Sequence, residues 1–555
     1  MPPLKKNESP NDVVQAIDRL ETRSDKCYRT LSLLARGRCV ATWTILTEAI
    51  RLVEMSVPTA MYGSRNQLNT LTNASMMAAL LYKFTRQYCR TEPFQVNHLS
   101  WTPRIEAEAK HAFEVVRGYL TFCTVFPYWH ANMYAGEITE ENTVRFVSQA
   151  SPLGRRINAY RQGLRPSGHP QEKQTGMQTT PSMQRHFARS LGAAKRTSQR
   201  GVMFGHLEDI YEALYESHAE RTSAMMRRYP DIKIGDYNLD EFRRFYAAIN
   251  AIAGTHEFLC YLWSQDNSLP ADSLLLYWHR AQWVKELSRL AGLPVDQVYA
   301  MIKDATFGRV YAVDFHLLPF VPMTTDASIL ALAPFCSLSS NWEENVLRCL
   351  SRRDSDLYST HTLSKEDEMR LPLISLTSGT RLITGPHKLP KPHPDIDLIV
   401  QDLAAKILIV CELKWNRKPN GLKERLQCDA EVFKGFSQIR KVKDFIESNP
   451  RHLVDRKYLA WDISKFEQIH YCVIARDHIV EPPADGEPIY GYEDFRAGMM
   501  QNTNTSELLK SLDNLEWLPV EGRDYWVRFE RSYANGVALE SEVYYPAGTP
   551  LAMIR

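Results

Sequence analysis

The stretch from Pro394 to Trp415 constrains the fold of this chain more than any other segment. It reads Pro-Asp-Ile-Asp397-Leu-Ile-Val400, a short polar break, then Ile407-Leu-Ile-Val-Cys-Glu412-Leu-Lys414-Trp415. Two apolar runs of strand length that close together form a pair of strands, with Gln401 to Lys406 reversing the chain. Around them the order is a helix (Trp342 to Leu350), the hairpin, a helix (Ala430 to Glu447), a strand (Gln468 to Ala475) and a helix (Tyr492 to Met499). An α-β-β-α-β order predicts a mixed-sheet α/β domain over about 336–500.

Side chains alternate along a strand, so Glu412 and Lys414 project from one face and Cys411, Leu413 and Trp415 from the other. Pairing in the hairpin brings Asp397 beside Glu412. Two carboxylates that close repel when both are ionised, unless a divalent cation sits between them. Hard oxygen donors with open coordination positions suit Mg²⁺ or Mn²⁺, and a lysine on the same face is placed to meet charge developing on a phosphoryl group. That residue set predicts metal-assisted phosphodiester hydrolysis.

In Asp397 and Glu412-x-Lys414 the chain resembles the PD-(D/E)xK nuclease superfamily, over roughly Asn341 to Phe495. The resemblance implies a restriction-endonuclease-like domain in which Asp397 and Glu412 bind the catalytic metal together with the Leu413 carbonyl, and Lys414 assists the nucleophile. It adds a glutamate on the preceding helix, matched by Glu343 with Glu344 as substitute, and a glutamine on the following helix, matched by Gln438. Each has a rival: Glu412 and Lys414 as a simple ion pair, Ser340 to Glu343 as a helix-capping box, Gln438 as a solvated helix residue. Asp395 shares a face with Asp397, which is preferred because the apolar strand follows it directly. Lys391, Arg417, Lys418, Lys434, Arg440 and Lys441, with Lys388, Lys423 and Lys443, are either phosphate contacts or a solvated rim.

The rest of the chain is less explicit. Residues 1–150 carry helical periodicity, with Leu20, Tyr28, Leu31, Leu34, Ala78, Leu81 and Phe84 on buried faces. Residues 151–205 include ten Lys/Arg against one acid (Ser151 to Arg200) and read as a basic linker or long loop, or as a phosphate-contacting arm. Residues 206–335 form a helical and mixed domain, with short strands at Val310–Val313, Leu317–Val321 and Ile329–Leu332. Lys285 to Ile302 has the layout of a helix-turn-helix or of an ordinary helical hairpin. Residues 501–555 predict a helix and a β-hairpin turning at Asn535-Gly536.

A net charge of +2 leaves nucleic-acid attraction to local patches. Ten scattered cysteines without a Cys-x-x-Cys pair argue for reduced thiols in a cytoplasmic protein. The Val115–Trp129 apolar stretch is broken by Arg117 and Pro127 and falls short of the ~18 residues of a membrane span. No Gly-x-x-x-x-Gly-Lys-Ser/Thr occurs, so no nucleotide cofactor is expected. The expectation is therefore a mainly helical N-terminal part joined to an Mg²⁺-dependent DNA endonuclease. By analogy it is a prokaryotic defence effector whose helical region senses or oligomerises. The competing expectations are an RNA-cleaving nuclease, or a nucleic-acid-binding or assembly protein whose nuclease-like domain is inactive.

Overall fold

A computed structural model describes residues 10–54, 65–94, 99–140, 143–166, 181–197, 201–225, 233–267, 269–308, 318–332, 346–347, 350–351, 354–361, 365–379, 381–419, 422–449, 463–502, 504–534 and 537–547. The chain divides into two compact units, each discontinuous in sequence. One comprises Met1–Asp18, Cys123–Gln171 and Thr362–Arg555; the other comprises Arg19–Phe122 and Glu172–His361. These divisions fall at different places from the contiguous segments read from the sequence. The architecture is a mixture of helices and several small sheets. Among the described residues no helix is long and apolar enough to cross a membrane.

The first unit is built on a five-stranded mixed sheet in the order Arg381–Thr384, Leu398–Asp402, Ile407–Trp415, Gln468–Arg476, Ile489–Gly491. The first two junctions are antiparallel and the last two parallel. The strands at 398–402 and 407–414 are buried along their whole length. A strand buried on both faces needs cover on both, which explains the continuous Ile/Leu/Val runs. Cover comes from the helices Lys365–Ile374 and Leu422–Ser448, packed on Ile407–Trp415, while Tyr492–Gln501 packs on the neighbouring strands Gln468–Arg476 and Ile489–Gly491. The expected hairpin, the strand from Gln468 and the flanking helices at 430–447 and 492–499 are all present. The flanking strands Arg381–Thr384 and Ile489–Gly491 had no reading in the sequence; each is only four or three residues long.

The hairpin turn is tied by its own side chain: Asp402 Oδ1 accepts from the Ala405 N–H at 2.9 Å, while Lys406 takes a left-handed conformation (φ 55°). Arg381 is 4% exposed and donates to the carbonyls of Met499 at 3.0 Å and Asn502 at 2.7 Å, joining the sheet edge to the end of the 492–501 helix.

A second sheet of this unit corrects the reading of residues up to 150 as helical. Tyr134–Glu140 and Thr143–Ser148 form a hairpin, and Thr143–Ser148 pairs in parallel with Val537–Pro546 of the C-terminal hairpin Tyr525–Ala534/Val537–Pro546. The C-terminal hairpin was expected; its turn residues Asn535 and Gly536 lie outside the described residues. The partner strand is nearly 400 residues away, so the pairing leaves no local signal. Arg145 and Arg531 both reach Glu540, at 2.7 and 2.6 Å.

The basic segment also differs from a plain linker. Pro152–Arg161 and Pro181–Gly192 are helices, the first capped by Ser151. Arg156 donates to the carbonyls of Leu515, Leu518 and Pro519, and Arg161 to the Ile479 carbonyl and Asp429. Those two guanidiniums are engaged inside the fold, whereas Arg165, Arg185, Arg189 and Lys195 are exposed.

The second unit contains the helices Arg38–Glu54, Arg65–Tyr88, Glu208–Met225 and Leu239–Asp266. It also holds a three-stranded sheet ordered Tyr277–His279, Ile329–Leu332, Phe320–Pro322. Val310–Val313, expected as a strand, lies outside the described residues. Arg280–Ala291 and Val295–Asp304 form the anticipated helix pair, joined at Gly292 with φ 62°, a left-handed turn that an added Cβ would strain. Trp283, Leu287, Val298 and Met301 are fully buried between them. Gln297 donates to the Asp236 carbonyl and Asp304 accepts from Tyr237, so side chains that a groove-reading helix would present are engaged within the unit. The pair is a helical hairpin in a core.

Candidate functional site

The antiparallel register pairs Leu398 with Cys411. One step further the same register sets Asp397 opposite Glu412, and side chains directly opposed across two strands leave the sheet on the same face. Asp397 is anchored by its own hairpin, its Oδ2 accepting the Leu413 N–H at 2.8 Å. Behind it Thr384 pairs with Ile399, and His387 exchanges two 2.8 Å backbone bonds with Ile396, which places Pro386 opposite Asp397. Proline donates no backbone hydrogen bond, so the ladder lapses where the carboxylate stands.

Glu412 is 2% exposed and Lys414 8%, and the Lys414 ammonium donates to Glu412 Oε1 at 2.5 Å. Burial, then the charge of Asp397, pushes the Glu412 carboxyl up to about 8. Asp397 is also raised, chiefly by burial, against the pull of the Leu413 N–H and of Lys414 and Arg370. Burial alone would depress the Lys414 ammonium; Glu412, Asp397 and Glu366 outweigh it, and its pKa rises. This is the electrostatics of a pocket with too much negative charge in too little water.

Glu366 is the residue that sequence reasoning missed. It opens the helix Lys365–Ile374, directly before the first strand of the sheet. Its carboxyl is raised by burial and then by Asp397, while Lys414 and Arg370 pull it back. The available signal was the acidic run Glu366-Asp367-Glu368 ahead of Met369 and Leu373 at helical spacing. Glu343 and Glu344, chosen for this role, lie outside the described residues. Of the two aspartates, Asp395 is exposed and Asp397 is the one bonded into the hairpin.

The helix Leu422–Ser448 closes the site from the Lys414 side. A Cβ built on Gly435 would lie 3.0 Å from Lys414 Cε and 3.4 Å from Val473 Cγ1, so glycine lets the helix rest on the lysine stem. Gln438 follows one turn later on the same side of the helix. Its Oε1 is buried and has no hydrogen-bond partner among the described residues, as have Asn416 Nδ2 and Arg370 Nε. Buried polar atoms left unpaired cost free energy.

Lys391, Lys418, Lys434, Arg440 and Lys441 are exposed and Arg417 is half-buried. Arg440 donates to the Asp485 carbonyl, and Lys434 lies 3.9 Å from Glu431. Lys443 pairs with Glu487 at 2.8 Å. The exposed set fits the solvated-rim reading and leaves phosphate contact open to test.

Among the described residues no group of three or more His, Cys, Asp or Glu side chains is arranged to hold a metal ion. Mg²⁺ seldom uses such a cage; one or two carboxylates, waters and substrate phosphate normally complete its shell. Asp397 and Glu412 supply those two carboxylates, and burial raises the pKa of both, an effect that a bound cation would oppose. The donor set therefore fits a hard divalent ion. Compared with known proteins, the chain matches no family model, and no curated protein and no solved structure is significantly similar to it.

Proposed function

We propose that this chain is a metal-dependent nuclease of the PD-(D/E)xK type, hydrolysing phosphodiester bonds of DNA. One observation carries the reading: Asp397 and Glu412 oppose each other across two buried strands, with Lys414 on the same face and bonded to Glu412. Mg²⁺ or Mn²⁺ bound there supplies Lewis-acid polarisation of a phosphoryl oxygen and a more acidic water. Asp397 and Glu412, with the Leu413 carbonyl, are the residues that would hold it. Lys414 remains cationic because its carboxylate neighbours keep its pKa up, so it meets negative charge developing on phosphate or orients the attacking water. Glu366 is a further carboxylate from the helix before the sheet, and Gln438 supports the site from the following one.

Nicking of supercoiled plasmid, with RNA in a parallel arm, tests the reading. Cleavage should need Mg²⁺ or Mn²⁺, stop with EDTA, vanish in Glu412→Ala and fall about 10²–10³-fold in Lys414→Ala. Metal-dependent cutting that survives Lys414→Ala overturns the site assignment. The buried contact that engages Lys414 with Glu412 also fits a second reading, a nucleic-acid-binding protein with an inactive site. DNA binding with a steep salt dependence and no cleavage under any metal would decide for it.

A further inference from the structure

The second unit encloses a cavity of about 300 Å³, and its lining is chemically selective. That volume is at the lower end of the ~300–1,000 Å³ of small-molecule sites, enough for a fused ring and little more. Tyr277, Trp278 and Phe94 line it. Phe94 meets Tyr277 edge-on, with centroids 6.1 Å apart, and Trp278 packs on the fully buried Trp283 at 4.3 Å. These walls are held in place before any ligand arrives, and fixed aromatic faces favour a planar guest.

Asp272 is the one carboxylate in a lining that also holds Ser273, His256, His279 and Gln282. Asp272 accepts the Trp101 N–H on Oδ1 at 2.9 Å, and its other oxygen takes no hydrogen bond among the described residues. His256 Nε2 stands 3.1 Å from the Leu274 carbonyl, and burial lowers the imidazole pKa, so the ring is neutral at neutral pH. Among the described residues no lysine or arginine lines the cavity. A carboxylate oxygen between aromatic walls calls for N–H donors on the ring that enters. A carboxyl group in the lining, with no lysine or arginine among the described lining residues, disfavours a phosphate.

We infer that this cavity binds a phosphate-free purine-type heteroaromatic, a nucleobase or nucleoside, with its N–H edge on Asp272 and its ring against Tyr277 and Trp278. The inference stands apart from the nuclease reading, which uses residues of the other unit.

Isothermal titration calorimetry on the full chain tests it, with adenosine, guanosine and their 5′-monophosphates as probes. At least one nucleoside should bind, and its monophosphate should bind at least about tenfold more weakly. Asp272→Asn keeps the acceptor for Trp101 and should weaken the nucleoside at least about tenfold. Leu276→Trp, which fills the cavity, should abolish binding and decides the matter if Asp272→Asn misfolds. The inference is overturned if neither nucleoside binds up to about 1 mM, if the monophosphate binds as tightly, or if binding persists in the variants.

Discussion

Gly385→Ala tests whether the position of Asp397 governs activity. Gly385 lies beside the hairpin, and a Cβ built there would meet the Asp397 carbonyl oxygen at 2.2 Å, the Asp397 carbonyl carbon at 3.0 Å and Leu398 Cα at 3.2 Å. A carbon approaching a carbonyl oxygen stops at about 3.3 Å, so one backbone must retreat by about 1 Å. All three obstacles are backbone atoms, which cannot turn aside as a side-chain tip can. His387 and Ile396 are tied by two 2.8 Å bonds, so the movement concentrates on Asp397 and stretches its 2.8 Å bond to the Leu413 N–H. The cost in stability is about 1–3 kcal/mol, as for an overpacked core. Under the proposed function, a displacement of that size in Asp397 costs about 10²-fold in rate. Plasmid nicking measured beside thermal melting reads both effects. Gly435→Ala serves as the graded control: its nearest obstacle is the flexible Lys414 stem at 3.0 Å, and its rate loss should stay below tenfold. Wild-type cleavage by Gly385→Ala, or a larger loss from Gly435→Ala, would refute the reasoning.

Two further outcomes follow from the same geometry. Glu412 has a folded pKa of about 8 against 4.5 for an ordinary carboxyl, so between those values the folded state holds the extra proton. Metal-free stability is then greatest below about 4.5 and declines as pH rises towards 8. A cation must displace that proton, so the affinity for Mg²⁺ should rise by up to about tenfold per pH unit and level off above about 8. Melting shifts with Mg²⁺ across this range would show it, and a pH-independent shift would contradict it. Separately, Arg381→Ala leaves the Met499 and Asn502 carbonyls without their donor, and urea unfolding should register a loss of about 2–3 kcal/mol. An unchanged midpoint would mean that water replaces the guanidinium at no cost.

The hairpin was legible because its information is local. Two apolar runs, a polar break of turn length and a two-residue strand period set Glu412 and Lys414 on one face. The same grammar located the strand from Gln468 and the hairpin near the C-terminus. It failed at the hairpin Tyr134–Glu140/Thr143–Ser148, read as helix, at its pairing with the remote Val537–Pro546, and at Arg381–Thr384, whose four residues are too few for a period to show.

By itself, the sequence singled out Asp397, Glu412 and Lys414 as the candidate residues, because residue type and strand alternation are local properties. Only the tertiary structure decided how they are arranged. It chose Asp397 over Asp395 through the bond to the Leu413 N–H, and it brought Glu366 towards Asp397 from a helix about thirty residues upstream. It also buried Glu412 deeply enough to raise its carboxyl to about 8. Burial and charge proximity depend on what the fold packs around a group, and no spacing rule along the chain encodes that.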